Sequence, residues 1–126
     1  MTAPKPVMLP SPDHPITITP TGARVVVRAG EQVIADTDAA LTLAESTYPP
    51  VQYIPLADVD AEVLLPSATE TYCPFKGEAS YYGVATGSGE IKDAIWFYAS
   101  PFDAVSEIAG HVAFYADRVE ISVGES

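Results

Sequence analysis

A single cysteine in 126 residues leaves no internal disulfide and no cysteine-rich zinc site open to this chain. Histidine is nearly as scarce. His14 and His111 stand far apart in sequence, and no His-x-x-x-His or His-Glu pattern accompanies them, so no metal is expected. Positive charge is the third shortage. Six Lys and Arg face 17 Asp and Glu, giving a net charge of −11 and a pI near 4.2. Such a field repels phosphate backbones and anionic lipid surfaces, so neither nucleic acid nor membrane is an expected partner. No apolar run approaches the roughly 18 residues of a spanning helix, and no charged-then-apolar leader opens the sequence, which makes a cytoplasmic protein the expectation.

Hydrophobic residues make up 48% of the chain and charged residues 18%, enough apolar content for a folded core in one domain. Five of the twelve prolines fall at positions 4, 6, 10, 12 and 15, so residues 1–15 read as an extended or disordered arm and 16–126 as a single β-rich domain. Alternation begins at Ile16-Thr17-Ile18-Thr19, a segment suited to a sheet edge. Arg24-Val25-Val26-Val27-Arg28, the turn Ala29-Gly30-Glu31 and Gln32-Val33-Ile34-Ala35 form a hairpin pattern. Leu41 and Leu43 alternate with Thr42 and Ala44 toward Glu45, and Val51-Gln52-Tyr53-Ile54 follows the break at Tyr48-Pro49-Pro50, where an aromatic before proline favours a cis bond. Val63-Leu64-Leu65 reads as a brief strand, 78–84 as a longer one, and Ala94 to Tyr98 as a central strand apolar on both faces.

One helix is expected. Ser100 is placed as its N-cap, Pro101 at its first position, Phe102, Val105, Ile108 and Ala109 as its apolar stripe, and Gly110 at its end. Residues 112–115 and 119–123 read as a closing hairpin around Ala116-Asp117-Arg118. The fold class is therefore mainly β: a compact single-domain sheet fold, sandwich- or barrel-like, with one short covering helix.

Chemistry concentrates in residues 71–82, which hold the only cysteine and four aromatics. Lys76 there is the only basic side chain between Arg28 and Lys92, among ten acids from Glu31 to Glu90. A lone cation beside Gly77 is an anchor for a carboxylate or phosphate, or else the partner of Glu45, Glu70 or Glu78. Glu45 would orient it, and Tyr53, Tyr81, Trp96 and Tyr98 would supply walls for a planar ligand. Cys73, three residues before the lysine, is the candidate catalytic group if thiol chemistry occurs. Asp58 and Asp60 would aim two carboxylates at one Mg²⁺ if they lay on a strand, but acids after a proline turn more often serve the turn itself. Gly83 to Gly89 lacks the lysine of a phosphate loop, and no Gly-x-Ser-x-Gly elbow is present. The reading is a small β domain that binds a small anionic or planar ligand near the 73–77 turn, needing no cofactor. The alternatives are an enzyme, with Mg²⁺ only for nucleotidyl transfer, and an interaction module that forms a homodimer through a sheet edge.

The motifs His14-Pro15-Ile16, Tyr48-Pro49-Pro50, Tyr53-Ile54-Pro55, Thr71-x-Cys73-Pro74-Phe75-Lys76-Gly77-x-Ala79-x-Tyr81, Trp96-x-Tyr98, Glu107-Ile108-Ala109-Gly110 and Val112-Ala113-Phe114-Tyr115 together resemble a bacterial family catalogued as domain of unknown function 427. The resemblance covers nearly all of residues 14–122. It implies a β-tent-like sheet domain, of a type that often carries zinc, and a nucleotidyltransferase-like label. This chain departs from both implications. One cysteine cannot build such a zinc site, and Gly87-Ser88 lies downstream of Asp58 and Asp60, the reverse of the order in familiar nucleotidyltransferases. His111 stands where the family commonly has an aromatic or bulky residue.

Overall fold

Ten antiparallel strands form two sheets in the computed structural model, which describes residues 6–124. Of the expected arm, residues 1–5 lie outside the described residues, as do 125 and 126 of the expected domain. The strands are β1 (Ile16–Pro20), β2 (Val25–Ala29), β3 (Gln32–Thr37), β4 (Leu41–Glu45), β5 (Val51–Pro55), β6 (Leu64–Cys73), β7 (Gly77–Thr86), β8 (Gly89–Phe97), β9 (His111–Phe114) and β10 (Glu120–Val123). Seven make one sheet in the order β1-β4-β5-β9-β8-β7-β6, and three make a second in the order β10-β2-β3. The fold is thus mainly β, as expected, and neither sheet closes into a barrel.

Period-two alternation gives the seven-stranded sheet two apolar faces. On β5, Ile54 points to one side and Tyr53 to the other; on β9, Val112 and Phe114 oppose Ala113. The first face packs Ile54, Val84, Ile95, Val112 and Phe114 against Val25, Val27 and Ile34 of the three-stranded sheet, and this is the larger core. The second face gathers Leu43, Tyr53, Ala79, Tyr98 and Ala113 under Val105 and Ile108.

Four expectations are corrected. Residues 112–115 and 119–123 do not form a hairpin. β9 inserts between β5 and β8 while β10 crosses to pair with β2, because Val112 and Phe114 fill the core between sheets and the chain passes over its edge afterwards. The expected helix is a 3₁₀ segment, Asp103–Ile108, kinked at Val105, and Ser100 does not cap it; Phe102 is its first flanking residue. Only Val105 and Ile108 of its expected stripe are buried within it, too few for a continuous α-helical face. Of the brief strand expected at 63–65, Val63 ends a 3₁₀ turn (Ala61–Val63) and Leu64 and Leu65 open ten-residue β6, which absorbs Pro66 beside a register shift against β7. No cis peptide occurs among the described residues, so the bond between Tyr48 and Pro49 is trans.

Candidate functional site

The site is built where two rows of side chains meet on the second face of the large sheet. Leu41, Leu43 and Glu45 share that side of β4, and Glu45 ends the strand. Opposite it, the 73–77 turn joins β6 to β7 and presents Lys76. The turn is held by Lys76 N–H donating to Cys73 C=O at 3.2 Å and by Phe102 N–H donating to Lys76 C=O at 2.9 Å. Gly77 has φ +118°, a backbone conformation that side-chain-bearing residues rarely adopt. It is this conformation rather than lack of space that calls for glycine, since an added Cβ would meet the Ser100 carbonyl at an ordinary contact distance of 3.4 Å. The Lys76 N–H is therefore used within the turn, and the turn presents the Lys76 side chain to the pocket.

Lys76 Nζ donates to Glu45 Oε1 at 2.5 Å, and the Lys76 side chain is only 9% exposed. His14, from the described part of the arm, donates from Nε2 to Glu45 Oε2 at 2.7 Å and stacks on Phe75 with ring centroids 4.0 Å apart. Burial alone would raise the Glu45 carboxyl, but hydrogen bonds from Lys76 and His14, with the ammonium charge, outweigh it and hold the carboxyl below its ordinary value. Cys73 Sγ lies 3.9 Å from Lys76 Nζ and packs against the cluster that holds Leu43, Tyr53 and Tyr98, without lining the pocket itself.

Glu45 and Lys76 line a pocket of about 200 Å³ whose walls are Leu43, Val51, Tyr53, Trp96 and Tyr98, with Tyr48 and Pro49 at its rim. Trp96 Nε1 donates to the Tyr53 hydroxyl at 3.3 Å, and the two rings meet edge to face. Burial pushes the Tyr53 phenol up to about 12 and raises Tyr98 as well, so both present neutral hydroxyls.

Of the residues expected at a site, Glu45, Tyr53, Lys76, Trp96 and Tyr98 converge on this pocket, and Cys73 sits beside the lysine. Gly77 shapes the turn without lining the pocket. Tyr81 lies elsewhere on the same face, sharing a hydrogen bond with Thr71 Oγ1 at 2.8 Å, next to Tyr115, whose phenol burial raises to about 12. His14 was missed as a site residue because it reaches Glu45 across 31 positions. Leu43 and Val51 were legible in principle, since they precede Glu45 and Tyr53 at strand spacing.

Asp58 and Asp60 do not lie on a strand. Asp58 closes the 3₁₀ turn Leu56–Asp58 and accepts from Thr37 Oγ1 at 2.6 Å; Asp60 caps the next turn by accepting from Glu62 N–H at 3.0 Å. His111 Nδ1 is bonded to the Ala109 carbonyl at 2.9 Å. A wider cleft of about 730 Å³ between the β2–β3 and β7–β8 loops holds Arg28 and Arg118, but Glu90, Asp117 and Glu120 line it too, and Arg118 gives one of its N–H groups to the Lys92 carbonyl at 2.7 Å. Its charged lining is thus mixed, three acids against two arginines.

These features define a small two-sheet β domain with an aromatic pocket floored by an ion pair. The chain belongs to the family described as domain of unknown function (DUF427), whose sequence model, named NTP_transf_9, matches residues 17–125. No curated protein matches it. No helix of the described residues is long and apolar enough to cross a membrane.

Proposed function

We propose that this chain is a cytoplasmic binding domain for a small planar ligand, seated between Tyr53, Trp96 and Tyr98 with its polar group on Lys76 and Glu45. The observation that carries the reading is the ion pair at the pocket floor. A buried pair costs desolvation that well-packed apolar residues of similar volume would avoid, so it is poor value as a stabiliser. In a pocket walled mainly by aromatic and aliphatic side chains it supplies charged groups at fixed positions that can orient a ligand.

A thermal-shift screen of planar heterocycles, sugar phosphates and carboxylates, with and without Mg²⁺, tests this. A ligand at about 100 times its Kd adds roughly 2.7 kcal/mol of stability. The expected hits are aromatic and independent of Mg²⁺, and Trp96→Ala removes them. A blank screen of well-folded protein would sink the reading.

One observation favours thiol chemistry as a second reading. The Lys76 ammonium lies 3.9 Å from Cys73 Sγ, where it would face negative charge developing on sulfur. Glu45 sits closer to that ammonium, at 2.5 Å, and offsets its field at sulfur. Slow iodoacetamide labelling of native protein at neutral pH is expected; labelling faster than that of the denatured chain would move the assignment to Cys73.

A further inference from the structure

The polar floor has a donor and an acceptor side by side. Of the three N–H groups on Lys76 Nζ, one goes to Glu45 Oε1 at 2.5 Å and one is directed to Cys73 Sγ at 3.9 Å. The third has no partner among the described residues. Glu45 receives Lys76 on one oxygen and His14 on the other, at 2.7 Å, and each oxygen retains an accepting lone pair. Both side chains line the pocket.

Charge decides what such a floor selects. The ammonium and the carboxylate are in direct contact, so an anion drawn to Lys76 also meets Glu45, and attraction and repulsion nearly cancel. A neutral group with its own donor beside its own acceptor suffers no such conflict and satisfies both residues. Size narrows the class further. At about 200 Å³ the pocket falls below the roughly 300–1,000 Å³ of drug-sized sites, which fits one ring or two fused rings. Tyr53, Trp96 and Tyr98 give it aromatic walls for stacking or edge contacts.

Resting on the ligand-binding reading above, we propose that the pocket takes an uncharged planar ring whose edge carries an N–H next to a C=O, as in a pyridone or pyrimidinone. The ring N–H donates to Glu45, and the ring carbonyl accepts from Lys76.

Trp96 is the only tryptophan, so its indole N–H gives one resonance that reports directly on the pocket wall. The experiment titrates the protein with 2-pyridone, N-methyl-2-pyridone and benzoate, following that resonance by two-dimensional NMR. Saturable shifts are expected with 2-pyridone. N-methyl-2-pyridone, which has lost the donor, is expected to bind about tenfold more weakly, the loss of one hydrogen bond to a charged acceptor. Benzoate, planar but anionic, is expected to bind at least as weakly. The double variant Glu45→Leu/Lys76→Met, which removes both charges together, is expected to bind the two pyridones equally. Equal affinity of the pyridones for the natural chain, or tighter binding of benzoate, overturns the proposal and leaves a ligand pocket of different preference. The absence of any saturable shift with all three probes overturns the proposal and, joined to a blank thermal-shift screen, the binding reading with it.

Discussion

The two faces of the seven-stranded sheet solve the same burial problem in opposite ways. The face toward the three-stranded sheet carries the larger apolar core, in which Ile54, Val84 and Ile95 meet Val25 and Val27, all fully buried. The opposite face has a smaller cover, a kinked 3₁₀ segment that contributes Val105 and Ile108, and near its edge it gives way to aromatics, a carboxylate and an ammonium. The first arrangement yields stability and leaves no room for a ligand. The second gives up packing to keep a pocket with polar groups at its floor. Stability should therefore respond most to changes on the first face, and pocket chemistry to changes on the second.

The largest effect is expected from Ile54→Ala. Ile54 is fully buried in the core between the sheets, and its truncation removes apolar burial and leaves a cavity, costing about 4 kcal/mol in urea unfolding. A cost below about 1 kcal/mol would mean that this face is no better packed than the pocket face.

The apolar face was also the more legible in the sequence. The β-branched run Val25-Val26-Val27 and the short apolar segments around Ile34 and Ile54 mark strands directly, because each signal lies within one segment. The hairpin of β2 and β3 could be read for the same reason, its turn residues lying between the strands. The fate of 119–123 could not be read, since hairpin and crossover share one local pattern and the choice between them lies in the long-range pairing of Val25 with Val123. Pro66 concealed the length of β6 by presenting a strand breaker where the sheet tolerates one at a shifted register on its edge. At the site, Lys76 stood out through charge accounting alone, as a single cation among acids. That accounting named three acids as its partners. Choosing Glu45 among them, and adding His14, required contacts that each span 31 residues.

On the pocket face the sharpest break comes from Lys76→Met, which strands Glu45 with His14 as its remaining donor. The pair is mostly but not completely shielded, with side chains 9% and 15% exposed, so a cost of about 2 to 3 kcal/mol is expected in the same unfolding assay. The double variant Glu45→Leu/Lys76→Met should recover most of that loss, because no uncompensated charge remains. Failure of the double variant to recover would mean that the pair holds the fold directly, and the functional argument for its retention would weaken.

A smaller effect follows from the depressed Glu45 carboxyl. Its folded value lies below the ordinary 4.5, so its contribution is fully present above that pH and is lost as the pH falls through the folded value. Glu45→Gln should lose stability near neutrality yet show a shallower decline on acidification below about pH 4.5. Melting temperatures from pH 7 down to pH 3 would check this, and parallel curves for the two proteins would show that Glu45 is not among the groups driving acid unfolding.

The smallest effect is expected where the ion-pair geometry is best. Arg24 grips Asp36 with two hydrogen bonds, Nε to Oδ1 at 2.8 Å and an Nη to Oδ2 at 2.6 Å, whereas Lys76 makes one contact to Glu45. The hydrogen bond from Arg24 lowers the Asp36 carboxyl below its ordinary value, so the two groups do interact. Their side chains are 49% and 43% exposed, however, and water and salt screen such a pair while two long side chains must still be ordered to make it. Arg24→Gln should leave the unfolding midpoint within measurement error at physiological salt, although it breaks the better-formed bridge. Equal losses from Arg24→Gln and Lys76→Met would show that contact geometry sets the strength of ion pairs in this domain. The expected inequality assigns that role to burial, because the shielded pair at Lys76 loses more when one partner is removed than the solvated pair at Arg24.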